Sequence, residues 1–326
     1  MRTKGLTRYS LPAALTGLLL LTACGSEQPG AGAATPSGRP VCGPGAGPSA
    51  DASTSSSADS AGASAAPEAS PAASRDGVTV IGTGDGGAGG RPCAVYSLTS
   101  EETEPFTYVV ALTFLSESGQ GIADVEDTVQ LAPGRTVRRT VTAAGRLPEG
   151  GLPGGAAGNT GRVRITKVRS FPTAETPVEG GTCPPTGVRV YADDGDAAMG
   201  LRVVGLHLEN CGTRPYPLHG YPRVEIRDED HDPVEGVAVL RGGDAVATGT
   251  GADGPALSMV LAPGESAHAG LVWRNTVDGF SADPVNAPYA RVWARSGAAP
   301  VTVIPEFDIG TTGKLAVGPW KKDDPR

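Results

Sequence analysis

One short acidic segment has the residue types and the spacing of a cation site. In RDEDHDPVEG, Asp228, Asp230 and Asp232 occupy the first three odd positions of a calcium-binding loop. An EF-hand loop requires glycine at its sixth position and glutamate at its twelfth. This chain has Pro233 and Val239 there, so the EF-hand pattern is broken. We therefore expect a solvated hairpin turn, with the three aspartates as a weak metal candidate only.

Histidine is the other residue type that could bind a metal or transfer a proton, and the chain has 4. Three of them, His207, His219 and His231, recur every 12 residues. Equal spacing does not bring side chains together in a β-sheet, because each strand has its own position and register. His207 alternates with leucines, and His219 lies in the PLHGYP turn. We expect no shared metal site and no cofactor.

Nucleophilic catalysis has no recognisable motif in this chain. There is no G-x-S-x-G elbow, no S-x-x-K with its accompanying motifs, and no H-E-x-x-H helix. Glycine-rich runs such as GDGGAGG lack the strand before and the helix after that a phosphate loop needs. A triad assembled from distant residues leaves no such signature, so that alternative stays open. The sequence favours a protein that is not an enzyme.

The stretch from Asn210 to Pro222 is the best candidate for a recognition surface. Tyr216 and Tyr221 flank a proline-rich turn that also contains His219. Exposed tyrosines on rigid loops are effective contact residues. The alternative is a purely structural turn, held in place by a disulfide at the neighbouring Cys211.

Cys24 stands where an apolar run gives way to small polar residues. Residues 1–23 have the basic start, the short apolar centre and the small residues of an export signal. Leu-Thr-Ala-Cys at residues 21–24 resembles the bacterial lipobox, which implies a diacylglyceryl group on the Cys24 thiol once residues 1–23 are removed. An ordinary signal with a chance cysteine is the alternative. Two acyl chains hold a protein firmly, so we expect anchorage at the outer face of the cell membrane.

Composition divides the remaining chain into a tether and a folded part. Residues 24–76 consist mainly of Gly, Ala, Ser and Pro, and this bias continues to about residue 90. Such a segment buries too little apolar surface to fold, and we expect it to be disordered. Removal of residues 1–23 takes three basic side chains away and changes the formal net charge from −8 to −11. Nucleic acid is therefore not expected as a partner.

The candidate residues need a scaffold, and the alternating sequence pattern predicts an all-β one. Short runs of β-branched and aromatic residues are separated by Gly, Pro and Asp, which is typical of sandwiches. We expect two immunoglobulin-like β-sandwiches in tandem, at residues 77–173 and 183–320, with a linker at 174–182 and a tail at 321–326. The predicted strands are CAVYSLT, FTYVVALTFL, DTVQLA, RTVRRTVTA, RVRITKVRSF, GVRVYA, LRVVGLHLEN, RVEIRD, LSMVLA, HAGLVWR, ARVWAR and VTVIP.

The two halves share short sequence matches. TYVVALTFLSESG in the first half aligns with LRVVGLHLENCG in the second, and LAPG follows both, at residues 131–134 and 261–264. In LAPG, proline presets one backbone angle and glycine accepts a positive one, as a turn requires. Gene duplication and independent use of the same turn both explain the matches.

The second half resembles a family of bacterial lipoproteins, domain of unknown function 4232. The resemblance rests on Cys183, on ENCGTRPYPLHGYPRVEI from Glu209, and on LAPGESAHAGLVWR from Leu261. It implies a β-domain without an assigned activity. The second cysteine pair that is common in this family, near residues 286–289 and 309–311, is missing here. More faintly, the first half resembles extracellular β-domains of the FxLYD type.

With Cys24 acylated, four cysteines remain, and an even number in an oxidising compartment indicates disulfides. The family resemblance implies the pair Cys183–Cys211. The count alone then leaves Cys42 with Cys93. No C-x-x-C spacing is present, which argues against a zinc site.

These features together predict a lipid-anchored surface protein of the cell envelope that binds rather than catalyses. Its partner would be another envelope protein, a wall polymer or a small ligand. The alternatives are an exported hydrolase-like or accessory enzyme with its site between the sandwiches, and an architectural spacer.

Overall fold

β-Strands make up nearly all of the regular structure. A computed structural model describes residue 42 and residues 74–85, 91–116, 118–143, 162–278 and 283–324. Within these ranges the only helical segments are two 3-10 turns, Thr173–Glu175 and Gly243–Ala245, and no helix has the length and apolar character needed to cross a bilayer. The prediction of an all-β fold is confirmed. The predicted signal segment, Cys24 and the predicted tether up to residue 73, apart from Cys42, lie outside the described residues.

The first half is a sandwich of two antiparallel sheets. The order β1-β2-β3-β6 forms one sheet and β5-β4-β7 the other. Four and three strands are also the numbers found in constant-type immunoglobulin domains. The strands are β1 (Ser74–Arg75), β2 (Val78–Asp85), β3 (Pro92–Thr99), β4 (Phe106–Leu115), β5 (Gly121–Leu131), β6 (Thr136–Thr142) and β7 (Arg162–Pro172).

Side chains that alternate along the strands fill the core of this first sandwich. Val110, Leu112 and Phe114 of β4 point inward and meet Tyr96 and Leu98 of β3. Successive side chains of a strand point to opposite faces, so every second residue of β4 is available for this core. Burial of this apolar surface from water stabilises the sandwich.

The second half places one large sheet against several small ladders. The large sheet follows the order β13-β20-β15-β10-β8, and β9 and β21 add to its edges. The ladders are β11-β14, β12-β17-β18 and β16-β19. The strands are β8 (Arg189–Ala192), β9 (Asp196–Ala198), β10 (Leu201–Glu209), β11 (Tyr216–His219), β12 (Arg223–Arg227), β13 (Ala238–Arg241), β14 (Ser258–Leu261), β15 (Ser266–Arg274), β16 (Val285–Ala287), β17 (Tyr289–Trp293), β18 (Val301–Val303), β19 (Phe307–Gly310), β20 (Lys314–Val317) and β21 (Lys321–Lys322).

The core of the second half lies between the large sheet and the ladders. Leu206 and Leu208 of β10, with Leu271 and Trp273 of β15, belong to one buried cluster that includes Val292 of β17. The sequence did not predict the short strands β9, β11, β13, β16, β19, β20 and β21. It placed His219 in a turn, whereas His219 is the last residue of β11. Prolines at 215, 217 and 222 concealed this short strand, because proline inside a run normally argues against one.

The repeated LAPG segments are turns in both halves, as predicted. Gly134 and Gly264 have φ values of +65° and +85°, and each precedes the next strand by a short step. The strands before the two turns pair differently, however. β5 pairs with β4, the strand that carries the first matching segment, while β14 pairs with β11 rather than β10. The pairing therefore favours a shared turn over a shared hairpin.

The predicted linker at 174–182 is fixed to the second half. Glu175 is buried, and its carboxylate accepts hydrogen bonds from the Arg291 guanidinium and from the Thr302 hydroxyl at 2.7 Å. Both halves belong to one compact unit, whose described residues form two large hydrophobic cores and a small third cluster at Ala252, Val272 and Ala316.

Candidate functional site

A groove of about 970 Å³ opens on the second half between the β11-β14 ladder and the β12-β17-β18 ladder. Its size lies within the range of about 300–1,000 Å³ that is usual for small-molecule sites. No carboxylate is among the described residues that line it. The lining residues are Pro217, Leu218, His219, Tyr221, Arg223, Ser258, Met259, Val260, Trp293, Arg295, Ser296, Gly297 and Ala298.

Strand alternation decides which side chains reach the groove. Ala290 and Val292 of β17 are buried in the core, so Arg291 and Trp293 stand on the outer face. Arg223 lies directly opposite Trp293 in the β12-β17 register. These pairings explain how residues about 70 positions apart in the chain become neighbours.

The arginines of the groove differ in how far their charge is neutralised. Glu225 accepts two hydrogen bonds from Arg227, at 2.6 and 2.9 Å, and contacts Arg223 only at 3.4 Å. The Arg223 side chain is 70% exposed. Arg295 has no carboxylate partner in the described part of the chain. Two guanidinium groups at the groove thus keep most of their positive charge available.

Aromatic rings support these guanidinium groups. The Arg223 guanidinium carbon lies 4.2 Å from the centre of the Trp293 ring, and that of Arg295 lies 4.2 Å from the centre of the Tyr216 ring. Cations are attracted to the electron-rich face of such rings. Because burial raises the pKa of Tyr216, this residue stays neutral under its arginine.

The predicted recognition residues are only partly brought together. His219 and Tyr221 line the groove. Tyr216 was expected to be exposed and is buried instead, because position 216 of β11 points into the core. The sequence analysis did not identify Arg223, Trp293 and Arg295, which complete the groove.

His219 forms a short polar pair with Ser258. Its Nδ1 lies 2.5 Å from the Ser258 Oγ, and both residues are exposed. A serine–histidine–carboxylate triad also needs an acid that orients the imidazole. Among the described residues, no carboxylate is hydrogen-bonded to His219. Both groups are exposed and can form hydrogen bonds to a ligand.

Comparison with family models identifies this half of the chain. Residues 183–321 match the model described as Domain of unknown function (DUF4232). This part of the chain is a DUF4232 domain. The boundary predicted from the sequence, 183–320, differs by one residue. A comparison with curated proteins found no significant match.

A disulfide and a buried asparagine hold the turn that leads into β11 of the DUF4232 domain. Cys183 and Cys211 form a disulfide, as predicted. The adjacent Asn210 is buried, and its side-chain amide donates to the carbonyls of Arg214 at 2.9 Å and Leu261 at 2.8 Å. These bonds fix the turn that leads into β11. Cys42 and Cys93 are joined by a second disulfide, which links the segment before β1 to β3.

Near the C-terminus of the DUF4232 domain, β16 and β19 form a paired ladder. Asn286 of β16 is opposite Asp308 of β19. Asp308 accepts hydrogen bonds from the Trp273 indole at 2.8 Å, the Arg202 guanidinium at 2.8 Å and the Asn275 amide at 3.0 Å. Burial opposes ionisation of Asp308, but these donors outweigh it and lower its pKa. A charged network therefore ties β19 to the large sheet.

The acidic loop of the DUF4232 domain follows β12 and reaches the first sandwich. The Asp228 carboxylate accepts hydrogen bonds from the backbone N–H groups of Asp230 at 3.0 Å and Asp232 at 2.9 Å. The Asp228 carboxylate is thus used inside the turn. No three histidine, cysteine or acidic side chains converge as a metal site anywhere in the described ranges.

The same loop is not wholly solvated, contrary to our expectation. His231 has a φ of +65°, and its ring packs 4.7 Å from that of Tyr289 and 5.4 Å from that of Phe106. Its Nε2 lies 3.2 Å from the Ser170 Oγ of β7. The sequence alone did not indicate that a histidine between aspartates would pack at the junction of the two sandwiches.

The junction of the two sandwiches also contains a cavity of about 350 Å³, which Ser170 and His231 line. This is where the alternative enzyme site was expected. Burial, with help from Arg227, lowers the pKa of His231. In the described part of the chain no carboxylate is hydrogen-bonded to the ring, so the pair lacks the third member of a triad.

The three periodic histidines do not converge, but one of them, His207, is a neighbour of the fourth histidine, His268. His207 lies directly opposite His268 in the β10-β15 register. Each bonds its own carboxylate, Asp193 at 3.0 Å and Asp323 at 2.5 Å. Both strands were predicted from alternation, and pairing them would have revealed this contact.

Proposed function

We propose that this protein is a non-catalytic binding module of the cell envelope and that the groove of its DUF4232 domain holds the ligand. One observation carries the proposal. Arg223 and Arg295 keep available positive charge beside Trp293, in a groove whose described lining contains no carboxylate. Arginine and tryptophan are the residues that most often dominate binding energy at recognition surfaces.

The proposal includes a location for the protein, at the outer face of the cell membrane. A diacylglyceryl group on Cys24 would hold the chain there, and the Gly/Ala/Ser/Pro segment from residue 24 to 76 would give the folded part reach. A lipoprotein status and a relationship of the first sandwich to FxLYD-type domains belong to the same proposal. The partner would be an envelope protein, a wall polymer or a small ligand.

The enzyme alternative has less support. Two serine–histidine pairs exist, His219 with Ser258 and His231 with Ser170, but neither has an orienting carboxylate among the described residues. At the junction, the histidine ring is held between aromatic rings, which suits packing. A purely architectural spacer would gain nothing from unneutralised arginines around a groove.

Site-specific photo-crosslinking on intact cells tests the proposal. A photoreactive residue replaces Val260, which lies in the groove and is 56% exposed. The matched control carries it at Met199, a fully exposed residue of the same domain outside the groove. We expect a discrete envelope component to be captured from position 260 only. Equal capture from both positions, or none from position 260, would refute the proposal.

A further inference from the structure

We infer that the ligand of the groove is a carboxylate-bearing glycan, a chain of acidic sugar rings. The inference rests on the proposed function and names the chemistry of its ligand. It follows from the positive charge of the groove, from the apolar and aromatic side chains that line it, and from the alternation of charged and aromatic residues.

The charge of the groove requires an anionic partner. Arg295 has no carboxylate partner in the described part of the chain, and Arg223 shares Glu225 with the better placed Arg227. A planar guanidinium binds a carboxylate through two parallel N–H···O bonds. A neutral ligand could accept hydrogen bonds from these arginines but would not neutralise their charge, so it would bind them more weakly than a carboxylate.

The remaining lining suits flat, weakly polar rings. The guanidinium groups of Arg223 and Arg291 lie 4.2 and 5.0 Å from the centre of the Trp293 ring, so this ring mainly supports charge. Tyr221, Met259 and Val260 supply the remaining aromatic and apolar surface. The C–H groups on the face of a sugar ring are attracted to the negative face of an aromatic ring. A compact inorganic anion would contact the guanidinium groups alone and leave the apolar and aromatic lining exposed to water.

Charged and aromatic residues alternate along the groove. Arg223 is opposite Trp293, the last residue of β17, and Arg295 lies two residues further along, beyond the end of that strand. A chain of rigid rings with one carboxylate on each presents the same alternation, and little of its conformational entropy remains to be lost on binding.

Tryptophan fluorescence gives a direct readout, because the chain has three tryptophans and two of them are inaccessible. Trp273 and Trp320 are each 1% exposed, whereas Trp293 lies in the groove. The purified full chain in detergent micelles is titrated with oligogalacturonate. Its methyl-esterified form, which has the same rings without charge, is the matched control ligand. Oligoglutamate and polyphosphate are anions without sugar rings.

We expect a saturable change in Trp293 emission with oligogalacturonate and binding at least about tenfold weaker for the other three ligands. The Arg223→Gln/Arg295→Gln variant should lose about tenfold or more. Arg138→Gln/Arg164→Gln, which removes the same charge from exposed positions of the first sandwich, should bind like the wild type. Calorimetry on Trp293→Phe should show weaker binding even though the optical signal is gone.

Several results would overturn the inference. Equal binding of the methyl ester would make charge irrelevant, and equal binding of oligoglutamate or polyphosphate would make the sugar irrelevant. Absence of saturable binding would exclude the acidic glycan. If position 260 still captures an envelope component in that case, the ligand class is wrong and the proposed function stands. If position 260 captures nothing, the proposed function fails as well.

Discussion

His231 of the DUF4232 domain is hydrogen-bonded to Ser170 of the first sandwich, with 3.2 Å between Nε2 and Oγ. The backbone N–H of Ser170 in turn donates to the Tyr289 hydroxyl at 2.9 Å. Beside them, Arg169 binds Glu306 through two hydrogen bonds of 2.9 and 2.8 Å. The two sandwiches are therefore connected by specific polar contacts in addition to the covalent chain.

Acidification should weaken this junction through His231. Burial and Arg227 lower its pKa from the usual value of 6.5, against the opposite influence of Asp228, Asp230 and Glu175. The unfolded chain then binds the proton more readily than the folded one, so the free energy of unfolding falls as pH drops below about 6.5. The other charged groups at the junction are Asp76, Glu101, Glu102, Lys167, Arg169, Glu229 and Glu306.

Thermal unfolding measured between pH 7 and pH 5 checks this expectation. His231→Asn should flatten the pH dependence, because asparagine tolerates a positive φ and does not titrate in this range. His219→Asn, at an exposed position in the groove, is the control and should keep the wild-type slope. If the melting temperature of the wild type and of both variants depends on pH in the same way, protonation of His231 does not affect stability.

Replacement of Glu306 by glutamine should destabilise the folded part by about 1–3 kcal/mol, the usual cost of losing a hydrogen-bonded charge partner. Burial opposes ionisation of this carboxyl, but Arg169 and Lys167 outweigh burial and hold its pKa below the usual 4.5. A lowered carboxyl pKa adds stability above about pH 4.5, and this stability is lost as the pH falls further.

Denaturant unfolding at pH 7 and at pH 3 measures both effects. The difference between Glu306→Gln and the wild type should be large at pH 7 and small at pH 3. Glu179→Gln, an exposed carboxyl outside the junction, should match the wild type at both pH values. If Glu306→Gln is as stable as the wild type at pH 7, the ion pair between Arg169 and Glu306 does not contribute to stability.

The disulfide of the DUF4232 domain should contribute strongly to stability. Cys183 and Cys211 are separated by 28 residues. Closure of a loop of that length restricts the unfolded chain by about 3.5 kcal/mol in the chain-entropy model. Chemical denaturation of Cys183→Ser/Cys211→Ser should show a loss of this size. A loss under about 1 kcal/mol would mean that the turn before β11 is held by Asn210 alone.

Lipid anchorage is tested by removal of a single sulfur. Cys24→Ser cannot form the thioether, so the chain should move from the membrane fraction to the medium. Cell fractionation with immunoblotting measures the shift, and a detergent-phase partition of the wild type is the control. Retention of the serine variant in the membrane would show that something other than the thioether holds the chain there.

The longer strands of the fold were predictable because they depend on local alternation, whereas short strands such as β13, β19 and β20 were not predicted. The strand FTYVVALTFL, for example, corresponds to β4 from Phe106 to Leu115. The short strand β11 was not predictable, since Pro217 lies inside it and two further prolines lie beside it. The sequence around Tyr216 also did not predict its burial, because this burial depends on the ladder that β11 forms with β14.

The candidate site depends on contacts between distant segments, which a single sequence does not reveal. Arg223 and Trp293 are neighbours only through the register of β12 with β17. His231 was predicted in a solvated hairpin turn because its segment falls between two predicted strands. Its ring packs instead against Tyr289 of the same domain and Phe106 across the junction.

The central claim is that the groove of the DUF4232 domain holds this protein's ligand. Its most direct test is the amount of purified chain that sediments with isolated cell envelopes across a concentration series. Arg223→Gln/Arg295→Gln should bind about tenfold more weakly than the wild type, while Arg138→Gln/Arg164→Gln should bind equally well. Equal binding of the groove variant and the wild type, or equal losses in both variants, would contradict the claim.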